Sequence, residues 1–313
     1  VNLQIIANSC SCFDLKYEKL IKMNTILGID IGGTTIVGGL IENERIVDEI
    51  TMDTKAKEGG IITINVLKEL IHCLKRDDTN AIGIGVPSVV DRKKGIVYNV
   101  QNIRDWEEVH LKNLIEEEFG IPVWLDNDAN CFAYGEKKFG KGKQYENFVG
   151  ITLGTGVGGG IIQRHQLLHD SNCGSGEFGE IPYLNSILED YCGSRFFTQK
   201  CNRTAYEIAQ MASTGDKESL KIYHEYGEHI AVLVKIISLV LDPQAIIFGG
   251  AISQSFELFE KSMYEGLKDY PYPNSIKKLH ILTSDLKNIG VLGAGALCLD
   301  PLIEQKLHIC RPF

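Results

Sequence analysis

The chain has 313 residues, of which 44% are hydrophobic and 23% charged, with a formal net charge of −9. That length and apolar share allow about two domains with cores of their own, and the acidic balance counts against a nucleic-acid partner, whose phosphate backbone needs a basic face. The most apolar run, His229 to Leu241, is interrupted by Lys235, so it reads as a buried helix rather than a membrane span.

In chain order, residues 1–22 show no clear hydrophobic period and lack the charged-then-apolar pattern of a signal peptide. They read as an extension upstream of Met23, where a clean strand pattern begins. The nine cysteines are an odd number, and those beyond the N-terminus lack metal-finger spacing. Reduced thiols in a cytoplasmic protein are expected from this. From Ile26 to Ile41, apolar residues flank a Gly-Gly-Thr-Thr turn, which predicts two antiparallel strands. Ala81 to Val86 reads as a buried strand ended by Pro87. Leu111 to Phe119 has helical spacing and stops at Gly120. Ile121 to Leu125 is a predicted strand leading into Asp126-Asn127-Asp128, followed by a helix over Asn130 to Phe139.

A second glycine-rich hairpin begins at Phe148 and aligns with the first without a gap: Gly28 matches Gly150, and Gly32 matches Gly154. Two such hairpins at a domain-sized offset suggest two related α/β domains. Glu225 to Leu241 then predicts a long helix, and Ala245 to Phe248 a strand running into Gly249-Gly250. The boundaries expected are a small domain over 23–129 and a large one over 130–291, with a C-terminal helix over 292–313 returning to the first domain.

The hairpin tips carry the first chemical signal. Glycine permits positive φ and lets backbone N–H groups approach a ligand closely. Gly32, Gly33, Thr34 and Thr35 would form one phosphate cradle, and Gly154, Thr155 and Gly156 a second. No Lys-bearing P-loop occurs. Gly154-x-Gly156-x-x-Gly159 fits a dinucleotide fingerprint by letter, but strand residues follow it where a helix should start. Asp30, ending the first strand, suits Mg²⁺ held directly or through water, or a turn-stabilising role. Gly249 and Gly250 suit close approach to a nucleotide, or a plain strand-to-helix turn.

These motifs, in this order, resemble the ROK family of sugar kinases and sugar-responsive repressors. The resemblance rests on Asp30-Ile31-Gly32-Gly33-Thr34, on Ile84-Gly85-Val86-Pro87 followed by Asn102 and Trp106, on Asp126-Asn127-Asp128-Ala129-Asn130, and on Gly154 to Gly160. It implies a two-domain actin-like ATPase (ribonuclease H-like) fold with an interdomain active-site cleft that closes on substrate. It implies ATP and Mg²⁺ as cofactors, a small-molecule sugar as partner, no membrane, and a homodimer. By the same resemblance, Asp128 is the catalytic base, and Asn102, Asn127, Glu177, Glu180 and Glu189 line the sugar. Transfer to an alcohol needs a group that accepts its proton, which a carboxylate can do. An Asp before a helix can equally serve as its N-cap, and Glu189 can equally be a solvated surface residue.

The chain departs from the family at one place. Many family members carry His after Gly-Glu-x-Gly and then a cysteine zinc knuckle. Here Glu180 stands at the His position, and no cysteine lies between it and Glu189. No structural zinc is expected, and the sugar preference is left open between glucose, the first expectation, and N-acetylmannosamine, N-acetylglucosamine or fructose. The leading expectation is hexose phosphorylation. The alternative is a sugar-binding regulator or inactive relative, against which the intact phosphate and base residues count.

Overall fold

The computed structural model describes residues 25–168 and 171–299. The expectations for residues 1–22, and for the C-terminal segment beyond 299, lie outside these residues. The chain forms two compact units, one of residues up to Cys131 plus those from Asn288 onward, the other running from Phe132 to Lys287.

The first unit is built on a five-stranded sheet of order β3-β2-β1-β4-β8. Its strands are β1 (Thr25–Ile31), β2 (Thr35–Glu42), β3 (Arg45–Asp53), β4 (Thr79–Val86) and β8 (Val123–Asn127). β2 pairs antiparallel with β1 and β3 antiparallel with β2, a three-strand meander, while β4 pairs parallel with β1 and β8 parallel with β4. A small separate sheet holds β5 (Val89–Asp91), β6 (Ile96–Tyr98) and β7 (Glu108–Val109). Helices α1 (Gly60–Leu74) and α2 (Leu111–Phe119) supply apolar residues such as Leu67, Leu70 and Ile115 to one core with β1 and β4. α2 ends as predicted, with Gly120 at φ 64° taking the left-handed cap position.

The second unit repeats the plan. Its strands β9 (Phe148–Leu153), β10 (Val157–Gln163), β11 (Gln166–Leu167), β14 (Ala245–Gly249) and β15 (His280–Thr283) lie in the order β11-β10-β9-β14-β15. Again the hairpin partner is antiparallel and the following strands are parallel. β12 (Pro182–Tyr183) and β13 (Ser186–Ile187) form a minimal hairpin leading into α4 (Leu188–Cys192) and α5 (Ser194–Cys201), then α6 (Ala205–Ser213). The long helix predicted from Glu225 starts earlier, at Lys217, because Asp216 caps it by accepting the Ser219 N–H at 2.9 Å. This helix, α7 (Lys217–Leu241), and α8 (Phe256–Gly266) bury Tyr223, Tyr226 and Phe259 in one aromatic cluster.

The two aligned hairpins differ in one respect that their sequences hide. β1 and β2 pair Ile31 with Ile36, leaving four residues between them. β9 and β10 pair Leu153 with Val157, leaving three. One residue of register turns the following side chains to the opposite face, so Thr35 is exposed whereas its sequence counterpart Val157 is buried.

Helix α3 (Asp128–Lys138) begins two residues before the predicted start, directly from β8. Its far end is rooted by Lys137, whose Nζ donates to the carbonyls of Tyr145 at 2.7 Å and Lys143 at 3.0 Å. After the short helix α9 (Pro273–Ile276), near the end of the described chain, α10 (Ile289–Ala296) lies on β1 and β4 at backbone contact distance. A Cβ at Gly83 would stand 1.8 Å from the Ala294 carbonyl oxygen, and one at Gly28 2.1 Å from that of Val291. Only glycine admits this approach.

Candidate functional site

In the first unit the predicted residues gather at the C-terminal ends of β1, β4 and β8. The tip at Gly32 to Thr34 is a constrained turn. Gly32 N–H donates to the Thr35 carbonyl at 2.8 Å. From outside, Thr54 braces it twice: its N–H donates to Thr34 O at 2.9 Å, and its hydroxyl donates to Gly32 O at 2.8 Å. Thr54 is fully buried and is itself held, its carbonyl accepting the Thr63 hydroxyl at 3.0 Å. Nothing in the sequence marked Thr54, because its role exists only once β3 has brought it back beside the tip. The N–H groups of Gly33 and Thr34 have no protein acceptor among the described residues, which is the arrangement an anion-binding turn needs.

Asn102 stands beside this tip, so that a Cβ on Gly33 would touch its Cβ at 3.4 Å. Its loop is anchored by buried Val100, Ile103 and Trp106, whose indole N–H donates to Gly60 O at 3.2 Å. Asp30 lies at the end of β1, close enough to α10 that a Cβ on Gly290 would be 2.3 Å from its Oδ2. This burial pushes the Asp30 carboxyl up to about 6. A desolvated carboxyl of this kind fits a divalent cation, which would supply the opposite charge that the surrounding protein does not. Among the described residues no three His, Cys, Asp or Glu side chains converge as metal ligands. A single carboxyl suits Mg²⁺, which keeps several waters and uses substrate phosphates as ligands.

The Asp126-Asn127-Asp128 turn separates three roles. Asp126 is structural: it is 2% exposed, pairs with Arg92 Nε at 3.2 Å, and accepts from Asn130 Nδ2 at 2.8 Å. The N-cap of α3 is Asn127, whose Oδ1 accepts the N–H groups of Ala129 at 2.8 Å and Asn130 at 3.3 Å while its Nδ2 donates to Ser88 O at 3.2 Å. Asp128 is the first residue of the helix, its Oδ1 sharing the Ala129 N–H at 2.8 Å with Asn127, and its backbone lies against Gly85 at the end of β4. The positive end of the helix dipole favours a negative charge at this position.

In the second unit the tip at Gly154 to Gly156 is closed by Gly154 N–H donating to Gly156 O at 3.1 Å. The N–H groups of Thr155 and Gly156 have no protein acceptor among the described residues. Gly250, at φ 83°, packs against the last residue of β9, where a Cβ would be 2.4 Å from Leu153 O. This brings the Gly249-Gly250 turn to the base of the tip. The turn runs into a short 3-10 segment, Ile252–Ser255, before α8.

Glu177 and Glu180 flank buried Phe178, which packs on Gly159 of β10. Burial, then the charges of Glu180 and Glu189, push the Glu177 carboxyl above its ordinary range. Glu189 lies nearest the tip, with Oε2 accepting the Val157 N–H at 3.2 Å. Cys192 is fully buried, and all six described cysteines are free thiols.

Comparison with known proteins extends this picture. The profile of the ROK family matches residues 26–300. The glucokinase of Thermotoga maritima is 28% identical over 305 residues, covering 87% of this chain and 96% of its own. The xylose repressor of Bacillus subtilis is 26% identical over 304 residues, covering 89% and 78% respectively. Among solved structures, a ROK family glucokinase from Streptomyces griseus in complex with glucose and AMPPNP superposes with a TM-score of 0.77 at 27% identity, over 88% of this chain and 99% of that one.

Proposed function

Because this chain belongs to the ROK family and has the actin-like ATPase fold of its sugar kinases, we propose that it phosphorylates a hexose from ATP with Asp128 as general base. The observation that carries the proposal is the division of labour in the Asp126-Asn127-Asp128 turn. Arg92 and Asn130 hold Asp126, and Asn127 caps α3. Asp128 follows that cap as the first residue of α3, sharing the Ala129 N–H with Asn127 while Asn127 alone takes the Asn130 N–H.

In this reading the N–H groups of Gly33, Thr34, Thr35, Thr155 and Gly156 bind the phosphates of ATP, and Gly249 and Gly250 approach its adenosine side. Asn102, Asn127, Glu177, Glu180 and Glu189 contact the sugar. The acceptor hydroxyl gives its proton to the Asp128 carboxylate as its oxygen bonds to the γ-phosphorus. The bond from that phosphorus to the β–γ bridging oxygen breaks, and ADP leaves with the electron pair. Asp30 would hold Mg²⁺, directly or through water, and the ion would neutralise charge on the phosphates. Glucose is the first acceptor to test, in keeping with the glucose bound by the Streptomyces griseus relative. The reading carries with it a cytoplasmic location, where ATP is made, and a homodimer.

The repressor relative favours a second reading, a sugar sensor without catalysis. A coupled ADP-release assay over hexoses and N-acetylhexosamines separates the two. A kinase turns over at least one sugar, and Asp128→Asn lowers kcat by about 10²- to 10⁴-fold while sugar still binds. Sugar binding with no ADP release on any acceptor supports the sensor. An Asp128→Asn variant as active as wild type refutes the base.

A further inference from the structure

Glu189 does a second job that its expected contact with sugar leaves unexplained. The second tip is a three-residue turn with glycine at both ends, so its backbone has little intrinsic preference for one shape. It is pinned on both flanks by one short segment. On the incoming side, Gly154 O accepts the Ser194 N–H at 2.8 Å. On the outgoing side, the Val157 N–H donates to Glu189 Oε2 at 3.2 Å. Glu189 and Ser194 are themselves joined through Gly193, whose N–H donates to Glu189 O at 2.8 Å. Gly193 sits where a Cβ would be 3.0 Å from Thr155 O, so the segment supports the tip from beneath at backbone contact.

The same carboxylate touches the neighbouring acceptor loop. A Cβ on Gly156 would lie 2.4 Å from Glu189 Oε2, and one on Gly179 3.4 Å from the same atom. Gly179 belongs to the 177–180 loop, and Gly176, directly before that loop, rests on β10 by its approach to Gly159 O. One side chain thereby meets the phosphate tip and the loop carrying Glu177 and Glu180.

We propose that Glu189 is a positioning residue for the nucleotide. It holds the Gly154–Gly156 tip in its anion-receiving shape and ties the 177–180 loop to it. This rests on the kinase reading above. The requirement at position 189 is for an acceptor to the Val157 N–H, not for a negative charge, since a charge beside a phosphate cradle is repulsive to the ligand.

The test is direct titration of the full chain with AMPPNP and Mg²⁺ in the absence of sugar, together with KM for ATP and for the hexose. Glu189→Ala is expected to raise the AMPPNP Kd and the ATP KM about ten-fold, the effect of one lost hydrogen bond. Glu189→Gln keeps an acceptor oxygen and is expected to return the AMPPNP Kd to within about two-fold of wild type. Ser194→Pro replaces the N–H given to Gly154 O by a ring carbon that must push that carbonyl away, at a first helical position where proline is otherwise tolerated. It is expected to weaken AMPPNP by about five-fold, so a misfolded Glu189→Ala would still leave the inference testable. Unchanged AMPPNP binding in Glu189→Ala, or in Ser194→Pro, overturns the proposal, as does a Gln variant as weak as Ala. Wild-type protein that binds no AMPPNP refutes the kinase reading first and this inference with it, which distinguishes the two failures.

Discussion

Replacing Asp30 by asparagine should make the ligand-free protein more stable and the nucleotide complex weaker. The unfolded carboxyl titrates near 3.8, whereas burial in the fold raises it to about 6. At 1.36 kcal/mol per pH unit, ionising Asp30 in the folded state costs about 3 kcal/mol above pH 6. Below pH 3.8 both states are protonated and no penalty exists. As pH rises, the unfolded chain ionises first, so stability is lost progressively until the folded carboxyl also ionises near 6. Asparagine keeps the shape and carries no such penalty. Urea unfolding should therefore find Asp30→Asn more stable than wild type by about 1.5 kcal/mol at pH 5 and about 3 kcal/mol at pH 7.5. Adding Mg²⁺ with AMPPNP should reverse the order, because a bound divalent cation discharges the aspartate and finds no charge on the amide. A stability difference that does not change between pH 5 and 7.5 would refute the desolvation argument. Equal stabilisation of both proteins by Mg²⁺ and AMPPNP would refute the metal role.

Four further outcomes follow from the sites described above. Thr54→Val keeps the buried shape but leaves Gly32 O without its hydroxyl donor, so it should cost about 1–2 kcal/mol and weaken AMPPNP about ten-fold by calorimetric titration. Gly83→Ala drives a methyl group to 1.8 Å from Ala294 O; displacing α10 should cost at least about 3 kcal/mol in chemical denaturation. Glu180→His should shift relative kcat/KM across a hexose and N-acetylhexosamine panel, because an acid-only acceptor becomes a ring with a donor. Elemental analysis of the unaltered protein should find no stoichiometric zinc, and one equivalent would overturn that expectation.

Much of the architecture was legible in the sequence because its causes are local. Gly120 stops α2 through its own left-handed backbone, and alternating apolar runs around Gly-Gly-Thr-Thr and Gly-Thr-Gly mark hairpins wherever they occur. The approach of Asp128 to the end of a buried strand was visible for the same reason, since β8 runs directly into α3. Which residue caps that helix was not visible. Asp and Asn are both good caps, and the choice of Asn127 depends on where β8 stops and on the Ser88 carbonyl that holds its amide.

The sequence by itself determined the repeated glycine hairpins, the family resemblance and the identity of the charged groups, because each depends on residue type and short spacing. Only the tertiary structure decided the one-residue difference in register between β1–β2 and β9–β10, which aligned sequences conceal. It alone supplied the brace from Thr54 and the clamp of Glu189 and Ser194 on the second tip. It also decided that Asp30 is desolvated, since Gly290, on a helix far away in the chain, packs against its carboxyl. Register, bracing and desolvation arise from packing between distant segments, and no local pattern encodes them.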